Sequence, residues 1–101
     1  MAALPIHIPE DELKAFCLRH HVRKLSIFGS ILTPAFRPDS DLDMLVEFEE
    51  SHTPGFLGLA QMELELSAMV GRKVDLRTPA ELSRYFRDSV VASAAVQYER
   101  A

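Results

Sequence analysis

Three aspartates stand inside stretches of sequence that otherwise favour β-strands. Asp41 and Asp43 are separated by one residue at the start of an apolar run that ends at Phe48, and Asp75 interrupts a second, shorter apolar run. Side chains two residues apart on a strand project from the same face, so Asp41 and Asp43 would lie side by side. Because aspartate is disfavoured in strands, its recurrence at these positions indicates a chemical purpose.

Two neighbouring carboxylates are costly unless a cation lies between them. At about 5 Å, and with an effective dielectric constant of about 20, two ionised groups repel each other by about 3 kcal/mol. Mg²⁺ removes that repulsion, and it typically takes one or two protein carboxylates together with substrate phosphate and water. Asp41, Asp43 and Asp75 are therefore candidate metal ligands for phosphoryl-type chemistry, and Asp75 could also accept a proton. For an isolated Asp-x-Asp pair, a solvated strand face is the alternative.

A candidate phosphate-binding turn precedes the acid pair. Gly29 and Ser30 end the apolar run that begins at Leu25, and ten residues separate them from Asp41. Glycine lets the backbone approach a phosphate closely, and the serine hydroxyl and nearby amides can donate hydrogen bonds to it. On its own, Gly-Ser is also compatible with an ordinary strand-ending turn. Arg37 is the one basic residue of the spacer, and it is either a phosphate contact or a solvated loop residue.

Taken together, these segments resemble the minimal nucleotidyltransferase family of the DNA-polymerase-β superfamily. Members of that family have a strand ending in Gly-Ser, a spacer of about this length, an Asp-x-Asp strand and a third acid on a later strand. The resemblance runs from about Leu25 through Tyr98 and includes the segment RPDSDLDMLVEF. It implies a polymerase-β-like fold, in which a hydroxyl attacks the α-phosphate of a nucleoside triphosphate and pyrophosphate is released.

The resemblance also implies roles for individual residues. Asp41 and Asp43 would bind Mg²⁺ with the nucleoside triphosphate, Gly29 and Ser30 would hold its phosphates, and Asp75 would be the third catalytic acid. Small members of the family look like antitoxins that are encoded beside a HEPN-type RNase toxin. They bind this toxin or add AMP to one of its tyrosines. The resemblance thus implies ATP as the substrate, Mg²⁺ as the cofactor and a hetero-complex with a HEPN-domain protein.

The spacer departs from the family pattern. Members commonly have a polar residue soon after Gly-Ser and a glycine in the spacer, whereas this spacer opens with the residues ILTPAF, numbers 31–36. We expect this segment to be exposed and suited to packing against a partner protein. Two other functions stay open: a non-catalytic antitoxin that neutralises its partner by occlusion, and the catalytic subunit of a transferase for a small-molecule acceptor. Lys73 and Arg77, which flank Asp75, are predicted to face solvent.

The predicted helices and strands determine where these candidate site residues lie. The apolar spacing and the turn residues predict a helix from Pro9 to His21, strands at 24–28, 41–48 and 73–77, a helix at 56–70, and a last helix that begins at Pro79 or Arg84 and ends at Tyr98. This is an α/β (α+β) domain with a small mixed sheet of three or four strands flanked by helices. Residues 1–8 are predicted to be a flexible lead-in to a single domain over residues 1–101.

Composition limits the remaining function classes. The net charge is −4, with 15 acidic against 11 basic residues, which argues against direct binding of nucleic acid through its phosphates. The chain has one cysteine, Cys17, so it cannot form an internal disulfide and suits a reducing cytoplasm. Neither a signal peptide nor a membrane span is expected from its apolar stretches.

Overall fold

Four strands form one mixed sheet in the computed structural model, which describes residues 6–82, 84–85 and 87–100. The helices are α1 (Glu10–Arg19), α2 (Phe56–Val70) and α3 (Arg87–Ser93), the strands are β1 (Val22–Phe28), β2 (Leu42–Phe48), β3 (Val74–Arg77) and β4 (Ala95–Glu99), and 3₁₀ turns span Gly29–Leu32 and Pro79–Glu81. The strand order is β3-β2-β1-β4. β1 is antiparallel to both β2 and β4, whereas β2 and β3 are parallel. The predicted fold class is confirmed.

A single apolar cluster joins the sheet to α1 and α2. Phe16 and Cys17 of α1 and Leu66 of α2 are fully buried against the inward-facing side chains of the strands. Burial raises the pKa of the Cys17 thiol to about 12, so this group stays protonated and serves as a packing residue. Within the described ranges, no helix is both long and apolar enough to cross a membrane.

Side chains of α2 cover the outer edge of β3. The Ser67 hydroxyl accepts a hydrogen bond from the Val74 amide at 2.9 Å, and the Glu63 carboxylate accepts one from the Leu76 amide at 2.7 Å. These two bonds satisfy edge donors that would otherwise be open to pairing with another chain. The helix stops at Gly71, whose left-handed φ of 73° is the expected helix-ending conformation.

The prediction of one helix reaching Tyr98 is wrong. α3 ends at Ser93, and the chain then turns into β4, in which Ala95 pairs with Ile27 and Tyr98 pairs with Leu25. This strand gives β1 a second hydrogen-bonded neighbour, and Ala95 and Tyr98 pack against the core. The context of the sheet, rather than local propensity, therefore decides its conformation. Ser83 and Phe86 lie outside the described residues.

The start of the chain also differs from expectation. Ile6 and Ile8 pack against the core, so the described part of the predicted lead-in is anchored rather than loose. Residues 1–5 lie outside the described part of the chain.

Candidate functional site

Parallel pairing of β2 and β3 brings two of the predicted acids together. Asp43 lies directly opposite Asp75 in the strand register, one step after the pair formed by Leu42 and Val74. Leu42 and Val74 are fully buried, so the alternation of side chains turns both acids to the opposite face of the sheet. The two carboxylates share one face although 32 positions separate them in the sequence.

The electrostatics of Asp43 reflect this crowding. Partial burial is the main cause that raises the pKa of the Asp43 carboxyl, followed by the negative charges of Asp75 and Asp41, while the positive charge of Arg77 opposes the shift. All three predicted acids are thus close enough to interact. A cation at this position would relieve both causes of the raised pKa, since it compensates lost hydration and like-charge repulsion.

Gly29 forms a wall of the acid site. Its predecessor Phe28 is paired with Asp43 across β1 and β2, and a Cβ atom at Gly29 would overlap the Asp43 carboxylate. Gly29 also has a φ of 81°, a left-handed conformation that is unfavourable for other residues. Two independent constraints therefore select glycine here. The predicted turn and the predicted acid pair are in direct contact.

An open cavity of about 560 Å³ adjoins this turn. The turn itself is closed by Thr33, whose amide and hydroxyl both donate to the Ser30 carbonyl, at 2.9 and 2.8 Å. Residues of β1, the turn and α3 line the cavity: Phe28, Gly29, Leu32, Thr33, Val90 and Ser93. Ser30 lies in this turn but is not among the residues that line the cavity, and its neighbour Ile31 is buried in the core.

The expectation of an exposed apolar spacer is wrong for two of its residues. Ile31 is buried in the core, and Phe36 packs against the core, with the Arg72 guanidinium carbon 4.6 Å from its ring centroid. Leu32 keeps an exposed side chain. The apolar residues of the segment anchor the loop to the core and to Arg72. A mixture of apolar residues and prolines in the sequence does not reveal this role.

Arg72 holds the loop that leads into Asp41, and it was not among the predicted site residues. Its guanidinium donates to the carbonyl of Ser40 at 2.9 Å and to that of Arg37 at 3.2 Å. The Arg37 amide in turn donates to the Ser40 hydroxyl at 2.9 Å. Arg37 is exposed, and the contacts that hold it are made by its backbone. A role for its side chain in binding phosphate stays a prediction.

The two basic side chains that flank Asp75 are exposed, as predicted, and each also contacts an acid. Arg77 forms a two-point interaction with Asp75, with Nε 3.2 Å from Oδ1 and Nη2 3.2 Å from Oδ2. It reaches Glu81 at 4.0 Å. Arg77 therefore contacts the candidate site although its side chain is exposed. Lys73 is largely exposed, and its Nζ lies 3.9 Å from an Asp41 oxygen.

No metal site with three acidic, histidine or cysteine ligands forms among the described residues. The three acids predicted to bind a metal, Asp41, Asp43 and Asp75, therefore do not form a three-ligand site. Mg²⁺ does not need one, because it commonly takes one or two carboxylates and completes its shell with phosphate and water. Asp43 and the neighbouring Asp41 could supply those carboxylates. Both oxygens of Asp75 already interact with Arg77.

Comparison with known proteins identifies the family. A family model described as a nucleotidyltransferase domain matches residues 10–97. The chain belongs to this nucleotidyltransferase family. The membership predicted from the Gly-Ser turn, the Asp-x-Asp pair and the later acid is thus confirmed, and the match covers all three strands that carry these groups.

Two relatives of this nucleotidyltransferase domain come from archaea. A Methanocaldococcus jannaschii protein named "Putative protein adenylyltransferase MJ0435" is 34% identical over 77 residues, which cover 76% of this chain and 81% of the relative. A Thermococcus cleftensis protein named "Protein adenylyltransferase MntA" is 41% identical over 58 residues, or 57% of each chain.

Solved structures share the fold of the domain. One described as a "putative minimal nucleotidyltransferase" superposes with a TM-score of 0.68 at 34% identity, covering 84% of this chain and 85% of the other. A toxin–antitoxin structure with AMP-PNP gives 0.72 at 17% identity, with coverage of 90% and 73%. A complex of a tri-AMPylated Shewanella oneidensis HEPN toxin with its MNT antitoxin gives 0.64 at 17%, with coverage of 90% and 70%. At such low identity, the last two establish the fold alone.

Proposed function

We propose that this nucleotidyltransferase domain transfers AMP from ATP to a tyrosine hydroxyl of a HEPN-type RNase encoded beside it, and thereby acts as an antitoxin. The observation that carries the proposal is the placement of Asp43 opposite Asp75 and against Gly29. The names of the relatives, which are protein adenylyltransferases, support the same reaction. A cytoplasmic location belongs to the proposal, because the acceptor and ATP are both found there.

In the proposed reaction, the phenolic oxygen of the acceptor attacks the α-phosphorus of ATP. The bond between that phosphorus and the oxygen that bridges to the β-phosphate breaks, and pyrophosphate leaves with the electron pair. Mg²⁺, when bound, supplies positive charge against the triphosphate. Asp41 and Asp43 would hold this ion, and the backbone of Gly29 and Ser30 would border the phosphates. Arg37 is a further phosphate contact in this proposal.

Asp75 takes the proton of the attacking hydroxyl. Its register position opposite Asp43 supports this role, because the two residues lie on the same face of the sheet. Arg77 fixes the orientation of this carboxylate through its two-point interaction. One carboxylate oxygen must leave Arg77 or be shared with it when the acceptor hydroxyl arrives.

The test is transfer of labelled AMP. The protein is incubated with α-labelled ATP, Mg²⁺ and the HEPN-type protein encoded beside it, and label on the partner is followed by mass and by autoradiography. We expect the double variant Asp41→Asn, Asp43→Asn to lose at least about 10²-fold in rate, since the charge that holds the metal is gone. Asp39→Asn, which removes one exposed acid of the same loop, is the matched control. Equal labelling by the double variant and the wild type refutes the assignment, and chelation of Mg²⁺ with EDTA should stop transfer by the wild type.

A second candidate is neutralisation by occlusion without catalysis. The observation that favours it is the engagement of both Asp75 oxygens by Arg77, which leaves the proposed base satisfied within the protein. The discriminating measurement is survival of cells that express the toxin together with the double variant. Full protection favours occlusion, whereas loss of protection with an intact complex favours AMP transfer.

A further inference from the structure

A second cleft opens beside Asp75 at the β3 edge of the sheet, two strands away from β1 and Gly29. Its volume is about 190 Å³. One wall belongs to the first turns of α2 and consists of Phe56, Leu59 and Ala60, while the other includes Asp75, Arg77 and Glu81. The cleft therefore joins an apolar wall to Asp75, the residue that the proposed reaction uses as its base.

The apolar wall is accessible, whereas the polar groups around it are engaged. Phe56 stands at the rim with 87% of its surface exposed. Glu63, which also borders the cleft, accepts the Leu76 amide at 2.7 Å, and Arg77 interacts with Asp75 and Glu81. A ligand would gain most here by covering the apolar wall with a ring and by bringing a single polar atom to Asp75.

The order of the strands gives the two ligands separate entrances. The cleft lies at the β3 edge and the cavity lies beside the turn that follows β1, so β2, the strand that carries Asp43, lies between them in the sheet. Asp43 itself lines neither. A nucleotide that enters beside Gly29 and an acceptor that enters beside Phe56 would meet at the acids from opposite flanks. That arrangement suits displacement at phosphorus, in which the attacking and leaving oxygens lie on opposite sides.

We infer that this cleft receives the side chain of the acceptor tyrosine, an inference that rests on the proposed AMP transfer. The ring packs on Phe56, Leu59 and Ala60, and the phenolic hydroxyl points at Asp75. Tyrosine combines an apolar body with a polar tip, which is the combination that these walls offer. A serine or threonine hydroxyl at the same distance from Asp75 would leave the apolar wall uncovered, so the cleft selects an aromatic acceptor.

Two variants of the wall test this inference. Phe56→Ala removes the exposed ring, and Ala60→Arg fills the cleft. We expect each to raise the KM for the HEPN-type partner by about tenfold or more while the KM for ATP stays unchanged, since a few well-packed anchor residues carry most of the binding energy of an interface. Leu64→Ala is the matched control, because Leu64 is an apolar residue of the same helix with 67% exposure that does not line the cleft. Its KM for the partner should equal that of the wild type.

The outcomes of these measurements distinguish a failure of the cleft from a failure of the proposed reaction. An unchanged KM in both wall variants overturns the cleft, and so does an effect of Leu64→Ala as large as that of Phe56→Ala. Calorimetric titration with the HEPN-type partner gives a readout without catalysis. If the wild type transfers no AMP, the proposed reaction fails, while tenfold weaker binding by Phe56→Ala and unchanged binding by Leu64→Ala still support docking at the cleft. Equal binding by all three proteins rejects it.

Discussion

The Asp43 carboxylate is partly buried, lies near two other negative charges and is in close contact with the backbone of Gly29. Its pKa is raised above the ordinary value of 3.8, first by burial and then by the Asp75 and Asp41 charges. The folded protein therefore holds this proton more tightly than the unfolded chain does. As pH rises from the ordinary value of 3.8 and then through the higher folded pKa, ionisation of Asp43 removes this stability.

Neutralising Asp43 should therefore stabilise the metal-free protein. We expect Asp43→Asn to raise the Tm at pH 7 in EDTA by a few degrees, since about 1 kcal/mol corresponds to about 4–8 °C in a domain of this size. The gain should shrink toward pH 3, where the wild-type carboxyl is protonated in both states. Calorimetry at the two pH values makes the comparison, with Asp39→Asn as the control for a lost exposed acid. A lower Tm for Asp43→Asn at pH 7 contradicts the assigned sign.

Comparison of Gly29 with two other glycines distinguishes the effect of its left-handed φ from the effect of its overlap with Asp43. Gly55 has a negative φ and open space around it, whereas Gly71 has a φ of 73° and open space. Gly29 has a φ of 81° and, in addition, the overlap with Asp43. Replacement by alanine should cost close to nothing at Gly55 and about 1–2 kcal/mol at Gly71. It should cost more at Gly29.

Urea unfolding of the three alanine variants measures these differences. Gly29→Ala should also lose AMP transfer, because the added methyl group displaces the Asp43 carboxylate, while Gly71→Ala should keep it. Equal destabilisation at positions 29 and 71 would show that backbone strain alone selects Gly29.

At the residue scale, the sequence predicts which residue types could form a site better than it predicts which side chains contact each other. The types and spacing of Asp41, Asp43 and Asp75 are visible in the chain, and so is the glycine at a strand end. The overlap of Gly29 with Asp43 and the interaction of Arg77 with Asp75 depend on strand register and on side-chain rotamers. No local pattern contains that information, so both had to come from the structure.

At the element scale, periodicity identifies elements that have their own amphipathic face. α2 has the predicted bounds, because its apolar spacing and Gly71 are local signals. β4 was predicted to be helical, since its identity depends on pairing with β1, which lies far away in the sequence. Residues 31–36 were predicted to be an exposed apolar segment, and instead Phe36 packs against the core and contacts Arg72, a residue that follows α2.

Arg72 should therefore control the order of this loop. Arg72→Leu removes two hydrogen bonds to loop carbonyls and the contact with the Phe36 ring, and we expect about 1–2 kcal/mol of destabilisation. Hydrogen exchange should become faster in residues 33–41 while β1 and β2 stay protected. Lys14→Leu, which removes one exposed positive charge from α1, is the control. Unchanged exchange in the loop would mean that Phe36 alone anchors it.

At the scale of the whole molecule, four separate parts of the chain surround the candidate site. The turn after β1 supplies Gly29, β2 supplies Asp43, β3 supplies Asp75, and α2 supplies the apolar wall of the second cleft beside the β3 edge. Ionisation of Asp43 thus lowers the stability of the metal-free fold, and a bound cation would offset that loss. Stability without ligand and stability with ligand should consequently respond in opposite directions to the same substitution.

Binding of ATP and Mg²⁺ should reverse the order of stability. A ligand at about 100 times its Kd stabilises the folded state by about 2.7 kcal/mol, so the wild-type Tm should rise by roughly 10 °C or more. Asp43→Asn, the more stable protein in EDTA, should gain far less, because it lacks the charge that holds the ion. ATP in EDTA is the control and should shift neither protein strongly. If Asp43→Asn gains as much as the wild type, the metal is held elsewhere, and the crowding at Asp43 has a cause other than metal binding.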